Sequence, residues 1–426
     1  MVEVNVKDKS KNPIGGKIKS ALFNNIVPIL FIIICSLGFK FSGLPAAYVV
    51  NELVARLARN SFVVLALIIP VIAGMGMNFA IVLGAMAGQI AVVAVTHWGI
   101  VGVPGLLLIM VLTTPLAIIF GYMTGRLLNK TKGQEMVTSL MLGFFANGLY
   151  QLLFLFLIGT IIPMNNPVLV LSGGIGIKNT IDLAGTIKYA MDNMIKWNMF
   201  KTMAYGGAFT ALCMFAYTGY KTVAEKNKIR LNSKPVITGI IFILISVMGF
   251  MSMGKKSPFV IVQVPVGTFV FITALCLFTT FIVKTKLGQQ FRTVGQSMHI
   301  AEVSGINVNK IRLIAIVIST VLAGWGQIIF LQNLGTLNTY GSHEQVGMFA
   351  VASILIGGAS VTKASIWHAI IGTLLFHTLF VVSPYAGKNL LGNAMVGEYF
   401  RVFVAYGVIG VSLGLHAWKN LVKKRK

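Results

Sequence analysis

Glu135, Ser139, Gly143, Asn147 and Gln151 recur at every fourth position of an otherwise apolar stretch, so on a helix they drift slowly around one face. A stripe of this kind does hydrogen-bond chemistry. Amides and hydroxyls in a low-dielectric place must find partners, and neutral partners can be exchanged for a polar solute. Asn78, Gln89 and Gln327 are further amides in apolar surroundings, each either lining a solute pathway or tying packed helices together. Glu135, at the head of the stripe, reads as a carboxylate at a helix start, where the dipole favours it.

Covalent, redox and metal chemistry find no constellation. Cys35, Cys213 and Cys276 have no ligand spacing, so neither a disulfide framework nor a metal site is expected. Of the histidines at 97, 299, 343, 368, 377 and 416, only His368 and His377 fall well inside an apolar run. With no carboxylate at relay spacing, they read as satisfied interior residues. GFMSMGKK at 249–256 has Lys256 where a phosphate loop needs the hydroxyl that holds magnesium. LSGGI at 171–175 resembles an ATPase signature but has no phosphate loop to serve. The chain is therefore expected to be no enzyme and to need no cofactor, with any ATP hydrolysis in another polypeptide.

The elements that must hold these groups are membrane spans. Hydrophobic residues make up 56% of the 426 and charged residues 11%, with a mean hydropathy of +0.84, against about 25% charged in a soluble domain. Residues 60–125 contain no Asp, Glu, Lys or Arg, room for three crossings at about 20 residues each. The expected fold class is an all-α polytopic membrane protein, a single domain over 1–426 with about 10–12 transmembrane helices. The net charge of +25 sorts by membrane side, without the aromatic-interleaved patch of a nucleic-acid binder. A basic head at 1–19, clusters at 126–132, 221–234 and 284–312, Lys363 and a basic tail at 419–426 place both termini in the cytoplasm. Residues 47–60 alternate apolar and charged faces, as in a helix lying on the outer membrane surface. The Gly-rich polar segment 163–201 is the outer candidate for partner contact.

One long polar stretch interrupts the spans, TKLGQQFRTVGQSMHIAEVSGINVNKIR, ending at Arg312. Within it Ser297 can cap a helix start and Gly305 can take the left-handed conformation that ends one, with about two turns between. Gly288, Arg292, Gly295, Ser297, Ala301, Ser304, Gly305 and Ile306 fall at the spacing of the cytoplasmic coupling segment of ABC importer permeases, with Glu302 a departure where that family has a second small residue. The chain resembles the permeases for ribose, simple sugars, nucleosides and branched-chain amino acids. Gly74–Phe79 running into Leu83–Gln89 resembles their broken helix, and GQEMVTSLM at 133–141 resembles the sugar and nucleoside branch. An echo of 87–90 in 325–328, with Gln89 matched by Gln327, fits a two-fold repeat.

The resemblance implies an ABC importer permease fold with inverted repeats and broken helices, in a bacterial cytoplasmic membrane. Segment 284–312 would receive ABC ATPase subunits, an extracytoplasmic solute-binding protein would deliver solute, and a second permease subunit, alike or different, would complete the pathway. A simple sugar or nucleoside is the implied solute. Those permeases have about two spans fewer before this segment, so 201–254 reads as an inserted span pair. The alternative reading is an ion- or proton-coupled secondary transporter, which would call for a mid-span carboxylate that the chain lacks. A scaffold that moves nothing would need no polar stripe.

Overall fold

A computed structural model describes residues 25–225, 234–254 and 256–424. The basic head 1–19, the tip of the basic hairpin within 221–234 and the side chains of the tail 419–426 lie outside the described residues.

Helices form the whole bundle. In chain order they are α1 (Ile26–Ser42), α2 (Ala46–Ile72), α3 (Ile81–Trp98), α4 (Gly102–Lys130) and α5 (Glu135–Leu157). Next come α6 (Gly207–Glu225), α7 (Lys234–Ser252), α8 (Val266–Lys284), α9 (Lys286–Gln296) and α10 (Met298–Val303). The last four are α11 (Val308–Leu334), α12 (Ser342–Ile356), α13 (Ile366–Leu391) and α14 (Ala394–Lys424). Among the described residues nine are long and apolar enough to cross a membrane: α2 to α5, α7, α8, α11, α13 and α14. α1 is apolar but only 17 residues long. This is an all-α polytopic architecture, with eight helices ahead of the α9–α10 segment.

Residues 47–60 do not form a separate surface helix. They are the first half of α2, which runs on with a slight irregularity at Leu67 to Ile72. An amphipathic pattern marks one apolar face, and here Val50, Leu53, Val54 and Leu57 on that face are half-buried, with Val49 and Ala58 beside it buried.

α11 is central and lies against α2, α3 and α4. Small residues permit the approach: a Cβ on Gly84 would stand 2.2 Å from the Thr320 carbonyl oxygen, and one on Gly88 would stand 2.8 Å from that of Gly324. These two glycines therefore serve packing. Between α2 and α3 the chain leaves the helix over 73–80 while staying buried at every residue but Gly74, as backbone at membrane depth can when protein surrounds it. Gly74, at φ +74°, meets Gly295 of α9 backbone to backbone, since a Cβ on Gly295 would come within 2.2 Å of the Ile72 carbonyl oxygen.

α5 is the loosely held span, with 11% of its apolar window buried. Behind it a cavity of about 420 Å³ separates it from α3 and α4. α6 and α7 pack on each other, the Ser246 hydroxyl donating to the Ala204 carbonyl at 2.7 Å.

At the end opposite α9 and α10, two short ribbons tie the polar segment down: β1 (Thr180–Asp182) pairs with β4 (Thr336–Asn338), and β2 (Lys196–Asn198) with β3 (Gln263–Pro265). The buried carboxylate of Asp192 accepts from the Thr268 hydroxyl and from the side-chain amides of Gln332 and Asn333. A charge so enclosed needs several donors, and here they come from α8 and α11.

Candidate functional site

Four helices bring neutral polar groups to one place in the bundle. Gln89 of α3 donates its amide to the Ser342 hydroxyl at the start of α12, and Gln327 of α11 donates to the same oxygen at 3.2 Å. The two glutamines of the sequence echo thus share one acceptor. The Gln89 carbonyl oxygen accepts from the Tyr150 hydroxyl of α5 at 2.7 Å and from His343 Nδ1 at 2.9 Å. His343 Nε2 stands 2.9 Å from Asn147 Oδ1, and the Asn147 amide donates to the Glu344 carboxylate. Gln89, Gln327 and His343 are wholly buried, whereas Asn147 and Glu344 are half-buried.

Both ring nitrogens of His343 face amide oxygens; turning the Asn147 amide over gives Nε2 a donor to accept from, so a neutral imidazole fits the same site.

An imidazole, an amide and a carboxylate in series correct the expectation that no histidine has an acidic neighbour at relay spacing. His343 is interior, and its partner is the next residue along. His368 and His377 are corrected too. Neither ring nitrogen of buried His377 has a partner, and His368 Nδ1 has none, so they are not satisfied interior histidines.

The α5 stripe looks into the bundle. The Ser139 hydroxyl accepts from the Phe79 backbone N–H at 3.2 Å, a Cβ on Gly143 would sit 3.9 Å from the Phe79 carbonyl, Asn147 joins the cluster, and Gln151 is half-buried. Asn78, in the broken stretch, accepts from Ala80 N at 3.1 Å while its amide nitrogen is buried without a partner. The Gln327 carbonyl oxygen is likewise buried and unpartnered. Ser342, His343, Glu344 and Tyr150 were missed by sequence reasoning. The available signal was four polar residues opening an apolar 15-residue helix, with Tyr150 one turn beyond Asn147.

Glu135 does more than open α5. Its carboxylate takes a 2.6 Å ion pair from Arg312 Nη2, with the two side chains 12% and 1% exposed. The same guanidinium donates to the Leu128 carbonyl at the end of α4 and lies 3.1 Å from the Met298 sulfur of α10. Four elements meet at this arginine, which the sequence offered only as one more basic residue near a span end.

In the long polar segment, the Ser297 hydroxyl accepts from Ile300 N at 3.3 Å and Gly305 has φ +77°. Between these caps lies the six-residue α10. Ala301 is buried beneath it, whereas Ile300 and Val303 are 60% and 78% exposed. Gly288 is packed so closely that a Cβ would stand 2.3 Å from the Ile282 carbonyl oxygen. Arg292 is exposed, and Ile306 N closes the turn on the Ala301 carbonyl at 2.9 Å. The Ser304 hydroxyl donates to the Ile300 carbonyl at 2.8 Å.

The sequence pattern of the family described as "Branched-chain amino acid transport system / permease component" matches residues 49–412. The chain belongs to that family. The permease is similar to the probable ABC transporter permease protein YphD of Escherichia coli, 25% identical over 37% of this chain and 45% of that protein. It is similar to the nucleoside ABC transporter permease protein NupC of Lactococcus lactis, 23% identical over 58% and 71%. The ribose import permease protein RbsC of Escherichia coli is 32% identical over 29% and 37%. No solved structure matches the permease. Family and helices together make it an ABC-type permease, a multi-pass membrane protein.

Proposed function

We propose that this permease is the membrane-spanning subunit of an ABC importer for a small, uncharged, hydroxyl-bearing solute, a simple sugar or a nucleoside. The observation that carries the reading is the hydrogen-bonded cluster of amides, hydroxyls and imidazole from Gln89, Gln327, Asn147, Ser342 and His343 inside an apolar bundle. Weak, exchangeable hydrogen bonds suit a solute that must both bind and leave. The unpartnered Gln327 oxygen is an acceptor that a sugar hydroxyl can satisfy. The relatives named for ribose and nucleosides support the same solute class.

Separate ATPase subunits would dock on α10, whose exposed Ile300 and Val303 suit a partner's apolar groove. That end is then cytoplasmic, both termini with it, and the ribbon-tied segment at the other end faces a solute-binding protein. The permease itself catalyses nothing, and a second permease subunit completes the pathway. The 201–254 pair, packed on itself, fits an insertion into the family's plan.

In proteoliposomes the assembled complex should take up ribose or uridine only with ATP inside. The His343–Asn147–Glu344 series favours a second reading, proton coupling. Uptake that a protonophore abolishes while ATP is present would move the assignment to that reading.

Two substitutions separate the parts. Asn147→Leu removes a solute hydrogen bond worth about 0.5–1.5 kcal/mol, so half-saturation for uptake should rise roughly three- to tenfold, while the lost bonds to His343 and Glu344 lower the unfolding temperature less than Gln89→Leu does. An unaltered uptake curve would assign Asn147 to packing alone. Gly305→Val forces a β-branched residue into the left-handed cap; the protein should insert normally, yet bind the ATPase subunits several-fold more weakly, and unchanged association would remove α10 as their dock.

A further inference from the structure

The end of the bundle that carries α9 and α10 also holds a cavity of about 760 Å³, walled by α2, α8, α9 and the start of α13. Its charge is all of one sign. Lys284, Arg292 and Lys363 line it, and none forms an ion pair with a carboxylate among the described residues. The 26-residue α13 begins in the wall, capped by Ser365, so the positive end of its dipole adds to the three cations. Thr279 in the wall is 2% exposed and its hydroxyl has no partner. Cations, a helix N-terminus and an orphaned buried hydroxyl, with no acid among them, match an anion that offers several acceptor oxygens, and a phosphate group does so.

The surroundings say where that phosphate comes from. The spans α8 and α13 end at this level, and Trp367, beside the Ser365 cap, is 72% exposed. A tryptophan at a span end marks the membrane–water boundary. Leu277, Thr280, Phe281 and Lys284 share one face of α8. Thr280 and Lys284 line the cavity, while Leu277, deeper along the span, and Phe281, between Thr280 and Lys284, are 66% and 69% exposed. That face runs from apolar to cationic, as a lipid runs from acyl chain to headgroup. We propose that this cavity binds the phosphate of an anionic phospholipid headgroup, with the acyl chains lying on Leu277 and Phe281.

The site needs only that the chain crosses a membrane, whatever solute it carries. Its occupant would touch Arg292 and Gly295, and Gly295 is the residue whose backbone rests on Ile72 and Gly74. A bound headgroup would therefore brace α9, the helix that leads into α10.

The test uses the full chain, delipidated in detergent and titrated with phosphatidylglycerol or phosphatidylcholine under native mass spectrometry. Phosphatidylglycerol should bind and phosphatidylcholine bind much less. With about 1 kcal/mol per cation at a lipid surface, Lys284→Gln/Lys363→Gln should weaken phosphatidylglycerol roughly tenfold or more, with an unchanged unfolding temperature. Thr279→Val should weaken it further. Equal binding of the two lipids, or full retention by the double variant, overturns the proposal. Inorganic phosphate that raises the unfolding temperature while phosphatidylglycerol fails to bind would assign the cavity to a free anion and overturn the lipid source. A double variant that keeps its lipid but loses co-purifying ATPase subunits would place these cations in a protein interface, which also overturns it.

Discussion

Arg312→Met should destabilise the permease by about 3–5 kcal/mol, because removing one partner of a buried ion pair leaves the other charge uncompensated. Glu135 is left without its cation, and the Leu128 carbonyl without a donor. The double variant Arg312→Met/Glu135→Gln removes both charges and should recover much of the loss. Thermal unfolding of the purified protein measures both. If the single variant unfolds at the wild-type temperature, or the double variant is worse than the single, then the pair does not hold α5 to α11 and α10.

Gln89→Leu should be the most damaging change within the polar cluster. The Tyr150 hydroxyl and His343 Nδ1 lose their acceptor at once, while the Ser342 hydroxyl keeps Gln327, and each buried group left unpaired costs about 1–3 kcal/mol. Losses in one network do not add simply, so about 3 kcal/mol is expected, well above the cost of Asn147→Leu. Detergent unfolding curves for the two variants, side by side, decide the order. Were Gln89→Leu as stable as wild type with uptake alone impaired, Gln89 would be a solute contact and not the tie between α3, α5 and α12.

Much of this was legible in sequence where the cause is local. Apolar runs placed the spans, Ser297 and Gly305 bounded a short helix by their own backbone preferences, and the period of four from Glu135 to Gln151 turned one face of α5 inward. What failed depends on distant chain. An amphipathic pattern at 47–60 is the same whether water or the rest of a bundle lies beyond the polar face, so it could not tell a surface helix from the head of α2. Arg312 and Glu135 are 177 positions apart, and His343 reaches Gln89 across 254. His343 and Glu344 were adjacent and visible, but a charge breaking an apolar run reads as a loop. His377 read as satisfied because burial normally demands it, and no local rule identifies the exception.

α5 behaves as a beam pinned at its base. Glu135 sits on the Arg312 junction that also touches α10, and Asn147 lies about 18 Å further along the same helix. Little of the span is buried and a cavity lies behind it, so sideways resistance is low. A tilt of about 10° at the pin carries Asn147 roughly 3 Å, the length of one hydrogen bond. A rotation too small to repack the base would thus be enough to separate Asn147 from His343.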